Sequence, residues 1–357
     1  MGRSLKSCDS WKRWWPILLA SLLVGVFFLD DLFFPPDLTS YSARHEMMDT
    51  WVSITVFDTD EGHAQAAMDA AFSRMEAVVA IASSFDPTAE VARLNAAGRL
   101  DSPSPELIDI IEQALIIFDI SHGTFDITIE PLLDLWRFDP NAETQFWDLS
   151  PDTQQQAITA TMSVIGADRL AITYKPESAI ELIPGMKITL GGIAKGYAVD
   201  QGMHVLMEQG IQHALIDAGG DIAVVGGKPS SQPWDIALRD PEDAGNVLAE
   251  FALIDGAIAT SGNYLRFFDP DAQVGHIMDP RTGTSAHLSS SATVIAPTCT
   301  EADALATAVF VLGPTDGIEV IDQLADIEAM VLAYDDPLSV ARSRDLGNFE
   351  MQKKDGV

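Results

Sequence analysis

Residues 51–57 alternate polar with β-branched or aromatic positions and predict a strand. From residue 62 to 82 the spacing changes to that of a helix, with Ala67, Ala71, Met75 and Val78 on one face. Residues 105–122 predict a second helix, with Leu107, Ile111, Leu115 and Phe118 inward and Gly123 as its stop. Residues 151–165 predict a third, ended by Gly166. Short strands are predicted at 170–173, 187–190, 214–217, 221–225, 234–238 and 329–334, each bounded by Gly, Pro or Asp signals. Helices are predicted at 194–209, 301–312 and 317–324. The mixture predicts an α+β fold with long loops carrying the site.

The first residues read differently. Arg3, Lys6, Lys12 and Arg13 precede an apolar run at 14–29, and Asp30 and Asp31 follow it. Basic before and acidic after predicts a cytoplasmic N-terminus and export of the remainder. Residues 1–36 are therefore expected to be a signal anchor, or a signal peptide, with a linker. The anchored reading puts the catalytic domain on the periplasmic side of the inner membrane; cleavage would leave it soluble in the periplasm. A domain at 45–340 and a polar tail at 341–357 complete the expected organisation. Cys8 and Cys299 fall on opposite sides of the apolar run, so no intramolecular disulfide is expected.

Charge narrows the partners. With 53 acidic and 21 basic side chains, the formal net charge is −32. Such a surface repels phosphate backbones and argues against nucleic-acid binding. Solubility is a sufficient reason for the acidity. A diphosphate ligand would need a cation, a lysine or helix N-terminal amides beside it.

Two segments offer such groups. Gly191-Gly192-Ile193-Ala194-Lys195-Gly196-Tyr197 sits at a strand-to-helix turn, where glycines let amides approach a phosphate. It lacks the P-loop spacing, and a plain structural turn explains it equally well. In the helix at 301–312, Asp303 and Thr307 lie four apart on one face among alanines, and could offer hard oxygens to Mg²⁺. A solvated Asp and a Thr bonded to its own helix explain the pair too. His276, beside Gly275, suits an exposed cleft position, although a lone His is more often structural.

Combination and order carry the reading further. Met48-Asp49-Thr50, Ser83-Ser84-Phe85 with Arg93-Leu94-Asn95, Phe125-Asp126-Ile127-Thr128, the stretch 191–200, the turn 217–221, Thr260-Ser261-Gly262-Asn263-Tyr264, the stretch 276–283 and the stretch 303–307 occur in the order found in one family. The chain resembles the ApbE family, the FAD:protein FMN transferases, from about residue 47 to 334. The resemblance implies an ApbE-like fold related to the tunnelling fold, with FAD as substrate in a cleft and Mg²⁺ as cofactor. It implies metal ligation by the Ala194 carbonyl and the side chains of Asp303 and Thr307. Met48 and Phe85 would lie against the flavin, Thr124, Phe125 and Asp126 near the nucleotide, and Gly191, Lys195, Tyr197 and Ile277 beside the cofactor. His276 matches the histidine associated with catalysis. Three positions depart from the pattern: Asp49 stands where Gly is usual, Thr189 where Asp is usual, and Phe85 where Tyr is frequent.

The activity so implied is protein flavinylation, with FMN passing from FAD to a Thr or Ser hydroxyl of an acceptor flavoprotein and AMP released. Acceptors of the family are subunits of membrane redox complexes, such as the sodium-translocating NADH:quinone reductase and its Rnf relatives. A pyrophosphatase releasing FMN and AMP, or a non-catalytic FAD-binding protein, would share most of these residues.

Overall fold

Alternating apolar positions pair eight strands into one antiparallel sheet whose order follows the chain. These are β1 (Thr39–Met47), β2 (Thr50–Asp58), β3 (Ala214–Ala218), β4 (Ile222–Val225), β5 (Gly256–Gly262), β6 (Ser289–Ala296), β7 (Glu328–Ala333) and β8 (Val340–Arg342). The computed structural model describes residues 38–240, 246–262, 267–269 as backbone, 274–335 and 339–351. The apolar run at 14–29, and with it the expected anchor, lies outside the described residues, as do Asn263 and Tyr264 of one motif.

Each face of the sheet has its own cover. Ile54, Ile216, Ala223, Ala259, Val294 and Val331 belong to the core beneath α1 (Glu61–Ala82), α6 (Ala194–Glu208) and α7 (Cys299–Ile321). The neighbouring positions Val224, Ile258, Ile295, Met330 and Leu332 pack instead with the ribbon formed by Trp234–Arg239 and Val247–Leu253. A period of two along each strand makes this division. Of the shorter helices, α2 (Glu90–Ala97) and α3 (Pro105–Ile120) add Leu94, Leu107 and Ile111 to the first core, while α4 (Glu130–Trp136) and α5 (Pro151–Met162) share a small cluster of their own through Trp136 and Ile158. Ser104 and Ser150 cap α3 and α5 just ahead of Pro105 and Pro151, the start signature that made both helices legible. Among the described residues α7 alone is long and apolar enough to cross a bilayer, and most of it is buried against the sheet and its neighbouring helices, as a core helix is.

Several expectations need correction. Residues 187–190 form no strand: the Asn95 amide bonds Ile188 on both sides, accepting from its N–H at 2.7 Å and donating to its carbonyl at 2.8 Å. Thr189 N–H donates to the Ile127 carbonyl at 2.8 Å. A side chain thus takes the place of a partner strand. The two late helices, by contrast, stand as expected: they lie end to end within α7 and are separated at Gly313, where φ is +85° just before Pro314. The domain begins before residue 45, because β1 pairs along β2 from Thr39. Nor is 341–351 a free tail. β8 pairs with β7, Leu346 is buried, and Met351 N–H donates to Glu250 of the ribbon at 2.8 Å. Residues 352–357 lie outside the described residues. Strands at Val247–Leu253, β5 and β6 were not predicted individually.

Candidate active site

Three turns and the face of α7 meet around a cleft of about 800 Å³. Met48 and Asp49 form the two-residue turn between β1 and β2, with φ of +54° and +56°. Both central residues in the left-handed region suit a hairpin, whose strands twist the same way. Gly219 and Gly220 turn β3 into β4, and a Cβ on Gly219 would stand 2.3 Å from Thr50 Oγ1. The two hairpin ends therefore close on each other. Gly191 and Gly192 lead into α6; a Cβ on Gly192 would press Phe125 at 3.2 Å and Thr307 Oγ1 at 3.3 Å. Glycine there admits both side chains.

The floor is charged. Asp303 is buried, and its Oδ2 accepts from the Gly196 amide in the first turn of α6 at 3.0 Å. Lys195 Nζ donates to Asp221 Oδ2 just below the β3–β4 turn. Burial pushes both Asp221 and Asp303 upward; the charge of Asp303 adds to the shift at Asp221, and Lys195 offsets only part of it. Burial alone would lower Lys195, but Asp303 and Asp221 outweigh it and hold the ammonium protonated. Two carboxylates against one ammonium leave an excess negative charge in a place where charge is costly. Thr307 Oγ1 lies one helical turn from Asp303 and 3.1 Å from Ser261 Oγ. Carboxylate and hydroxyl oxygens with uncompensated negative charge fit a hard divalent cation. Among the described residues no group of three His, Cys, Asp or Glu side chains could hold a metal, so carbonyl and hydroxyl oxygens would have to complete such a site.

The expected site residues mostly converge. Met48, Phe85, Thr124, Phe125, Asp126, Gly191, Lys195, His276, Ile277, Asp303 and Thr307 all line this cleft. Asp126 spends its carboxylate locally, accepting from Thr128 N–H at 2.7 Å and Thr128 Oγ1 at 2.6 Å, while burial raises its pKa. The segment bearing His276 is braced by Trp136, whose Nε1 donates to the Gly283 carbonyl at 2.8 Å. Ala194 does not line the cleft but begins α6 between Gly192 and Lys195, which do. Tyr197 is the exception: 3% exposed, it faces away and donates its hydroxyl to Asp109 of α3 at 2.9 Å. Two residues on from Lys195 in a helix, it points to the opposite side.

Sequence reasoning passed over Glu130, Arg137 and Arg239, which also line the cleft. Glu130 and Arg137 lie seven apart along α4 and its end, on one face, a spacing that could have paired them. Nothing in the local pattern marks Arg239.

A sequence profile of the ApbE family matches residues 48–331. The FAD:protein FMN transferase of Klebsiella pneumoniae (strain 342) is 31% identical over 293 residues, covering 80% of this chain and 82% of that protein. That of Haemophilus influenzae is 28% identical over 277 residues, covering 74% and 79%. Among solved structures, the ApbE protein of Thermotoga maritima superposes with a TM-score of 0.79 at 29% identity, covering 88% of this chain and all of that one (100%). Flavin transferase ApbE from Vibrio cholerae superposes with a TM-score of 0.72 at 26% identity, covering 87% and 99%.

Proposed function

This chain belongs to the ApbE family, and we propose that it moves the FMN half of FAD onto a Thr or Ser hydroxyl of an acceptor protein, releasing AMP. The observation that carries the reading is the buried Asp303–Lys195–Asp221 cluster on the floor of a cleft whose walls mix apolar side chains, glycine turns and the charged Glu130, Arg137 and Arg239. Asp303, Thr307 and the Ala194 carbonyl would hold Mg²⁺, which supplies Lewis-acid neutralisation of charge on the pyrophosphate. Lys195 brings a permanent positive charge to the same place. At the start of α6 the Ala194, Gly196 and Tyr197 amides are already bonded to the Leu190 carbonyl, Asp303 and the Ile193 carbonyl, so the helix would favour the phosphates through the positive end of its dipole. Phe85 and Met48 give the isoalloxazine ring surfaces to lie against.

Phosphoryl transfer is chiefly positioning and charge neutralisation. The acceptor oxygen bonds to the FMN phosphorus as the bond from that phosphorus to the AMP oxygen breaks, its electron pair leaving with AMP. An imidazole nitrogen of His276 takes the hydroxyl proton. The acceptor in this reading is a subunit of a membrane redox complex of the Nqr or Rnf kind. An anchor at residues 14–29 would hold the enzyme on the exported side of the membrane that such a complex occupies.

The test incubates the full chain with FAD, Mg²⁺ and a candidate acceptor, and follows acceptor mass and free AMP together. An acceptor heavier by one FMN is expected. Asp303→Ala should lose most FAD cleavage. His276→Ala should keep FAD binding but lose transfer by roughly two to four orders of magnitude. Free FMN with an unmodified, competent acceptor would make the protein a pyrophosphatase instead. Cleavage by Asp303→Ala at the native rate would remove the metal assignment.

A further inference from the structure

Phe85 stands at the edge of the cleft with 78% of its surface exposed. Its backbone is fixed. Ser83 Oγ accepts from the amides of Phe85 at 3.2 Å and Asp86 at 3.1 Å, and the Asp86 carboxylate accepts from Thr88 N–H at 2.8 Å. The ring itself has far less to hold it. What overlooks it is the Arg137 guanidinium, its Cζ 5.7 Å from the ring centroid and within cation–π reach.

Arg137 is better anchored than the ring. Its amide closes α4 on the Leu133 carbonyl at 2.8 Å. One terminal nitrogen donates to Asp134 at 2.9 Å and the other to Glu130 at 3.1 Å. Asp134 is itself held by Lys187 at 2.7 Å. A guanidinium fixed at both ends of its fork is a stiff object, whereas a phenyl on an exposed loop turns freely. Glu130, Arg137 and Phe85 all line the same cleft.

We infer that Arg137 is a positioning residue: it fixes the Phe85 ring from one face and leaves the other open for the flavin. This rests on the flavin-transfer reading above. Arg137 acts through Phe85 and not on the ligand, and that distinction can be measured by a double-mutant cycle.

FAD affinity is measured by flavin fluorescence for the native chain, Arg137→Ala, Phe85→Ala and the double variant, with ADP as a competitor that lacks the isoalloxazine ring. Arg137→Ala is expected to weaken FAD about threefold to fivefold, the size of one partly exposed cation–π contact. In the Phe85→Ala background the same change should add nothing. ADP should bind all four proteins alike. An equal loss of FAD affinity in both backgrounds would overturn the inference, because Arg137 would then touch the ligand directly. Parallel weakening of ADP would also overturn it, marking a general effect on the fold. A native chain that binds FAD, with Arg137→Ala indistinguishable from it, overturns this inference alone. A native chain that does not bind FAD overturns the transfer reading with it.

Discussion

Met48 and Asp49 hold left-handed backbone conformations at the tip of a hairpin whose side chains reach the cleft. Non-glycine residues in that region are disfavoured, by up to roughly 1–2 kcal/mol, with Asp among the better tolerated. Asp49 is exposed and is not part of the cleft lining, so its carboxylate does not compensate through the site. Its place in a left-handed turn has a direct consequence. Asp49→Gly should stabilise the fold by about 0.5 kcal/mol, the relieved strain exceeding the added freedom of the unfolded chain. Thermal denaturation of the two proteins checks this; a lower melting temperature for the Gly variant would show that Asp49 earns its place by a contact. Met48 is different, because its side chain meets both the core and the cleft, and strain at such a position accompanies function.

Elements meet at two clasps. Gly196 lets the first turn of α6 lie against the start of α7, since a Cβ there would come within 2.2 Å of the Cys299 carbonyl oxygen. Asp200, one turn later in α6, accepts from the Cys299 and Thr300 amides at 2.8 Å each and so caps α7. Together they set where Asp303 stands relative to Lys195. The second clasp is His63 in the first turn of α1, whose Nδ1 lies 2.6 Å from Asp58 at the end of β2 and whose Nε2 lies 2.9 Å from the carbonyl of Gln209, just past α6. An imidazolium satisfies both partners by donating from each nitrogen. The hydrogen bond to Asp58, then that to Gln209, raises the His63 pKa. Burial tends to raise Asp58, but the Asp60 amide and His63 outweigh it and lower its pKa. A raised histidine pKa contributes stability that is full below about pH 6.5, the unfolded value, and is lost as pH rises through the folded one. The lowered Asp58 keeps the pair intact down to below about pH 4. His63→Ala should therefore lower the melting temperature at pH 6 and change it little at pH 9. Equal losses at both pH values would mean that the clasp works without the proton.

The whole molecule carries 32 net negative charges, and most ion pairs between its described residues keep at least one partner exposed. Such pairs contribute little, while self-repulsion acts across the entire surface. Screening should therefore stabilise the fold more than it weakens the pairs. Raising NaCl from about 10 mM to 500 mM, which shortens the screening length from about 30 Å to a few ångström, should increase the melting temperature by several degrees. A flat or falling curve would place the repulsion in the unfolded chain as much as in the folded one. The same charge means that a phosphate-bearing ligand needs positive charge supplied locally, and Lys195 is one source of it at the cleft floor.

Helical periods, Ser-Pro starts and glycine stops are properties of neighbours in sequence, so α1, α3, α5 and α6 were legible to within a few residues. The order of motifs likewise identified the family, and the four-residue spacing put Asp303 and Thr307 on one helical face. Strands at the sheet edge were not legible: β1 carries mostly polar residues, and only pairing with β2 makes it a strand. The extended stretch at 187–190 reads as a strand, yet its partner is the Asn95 side chain, from a helix far away in sequence. Tyr197 shares its turn with Lys195 and faces Asp109 instead of the cleft. The pairing of Lys195 with Asp221 and the approach of Arg137 to Phe85 join residues 26 and 52 positions apart. Local periodicity determined which face of each element is apolar. Which faces meet, and so which charges share one cleft, depended on close packing between distant segments, and only the tertiary structure decided that.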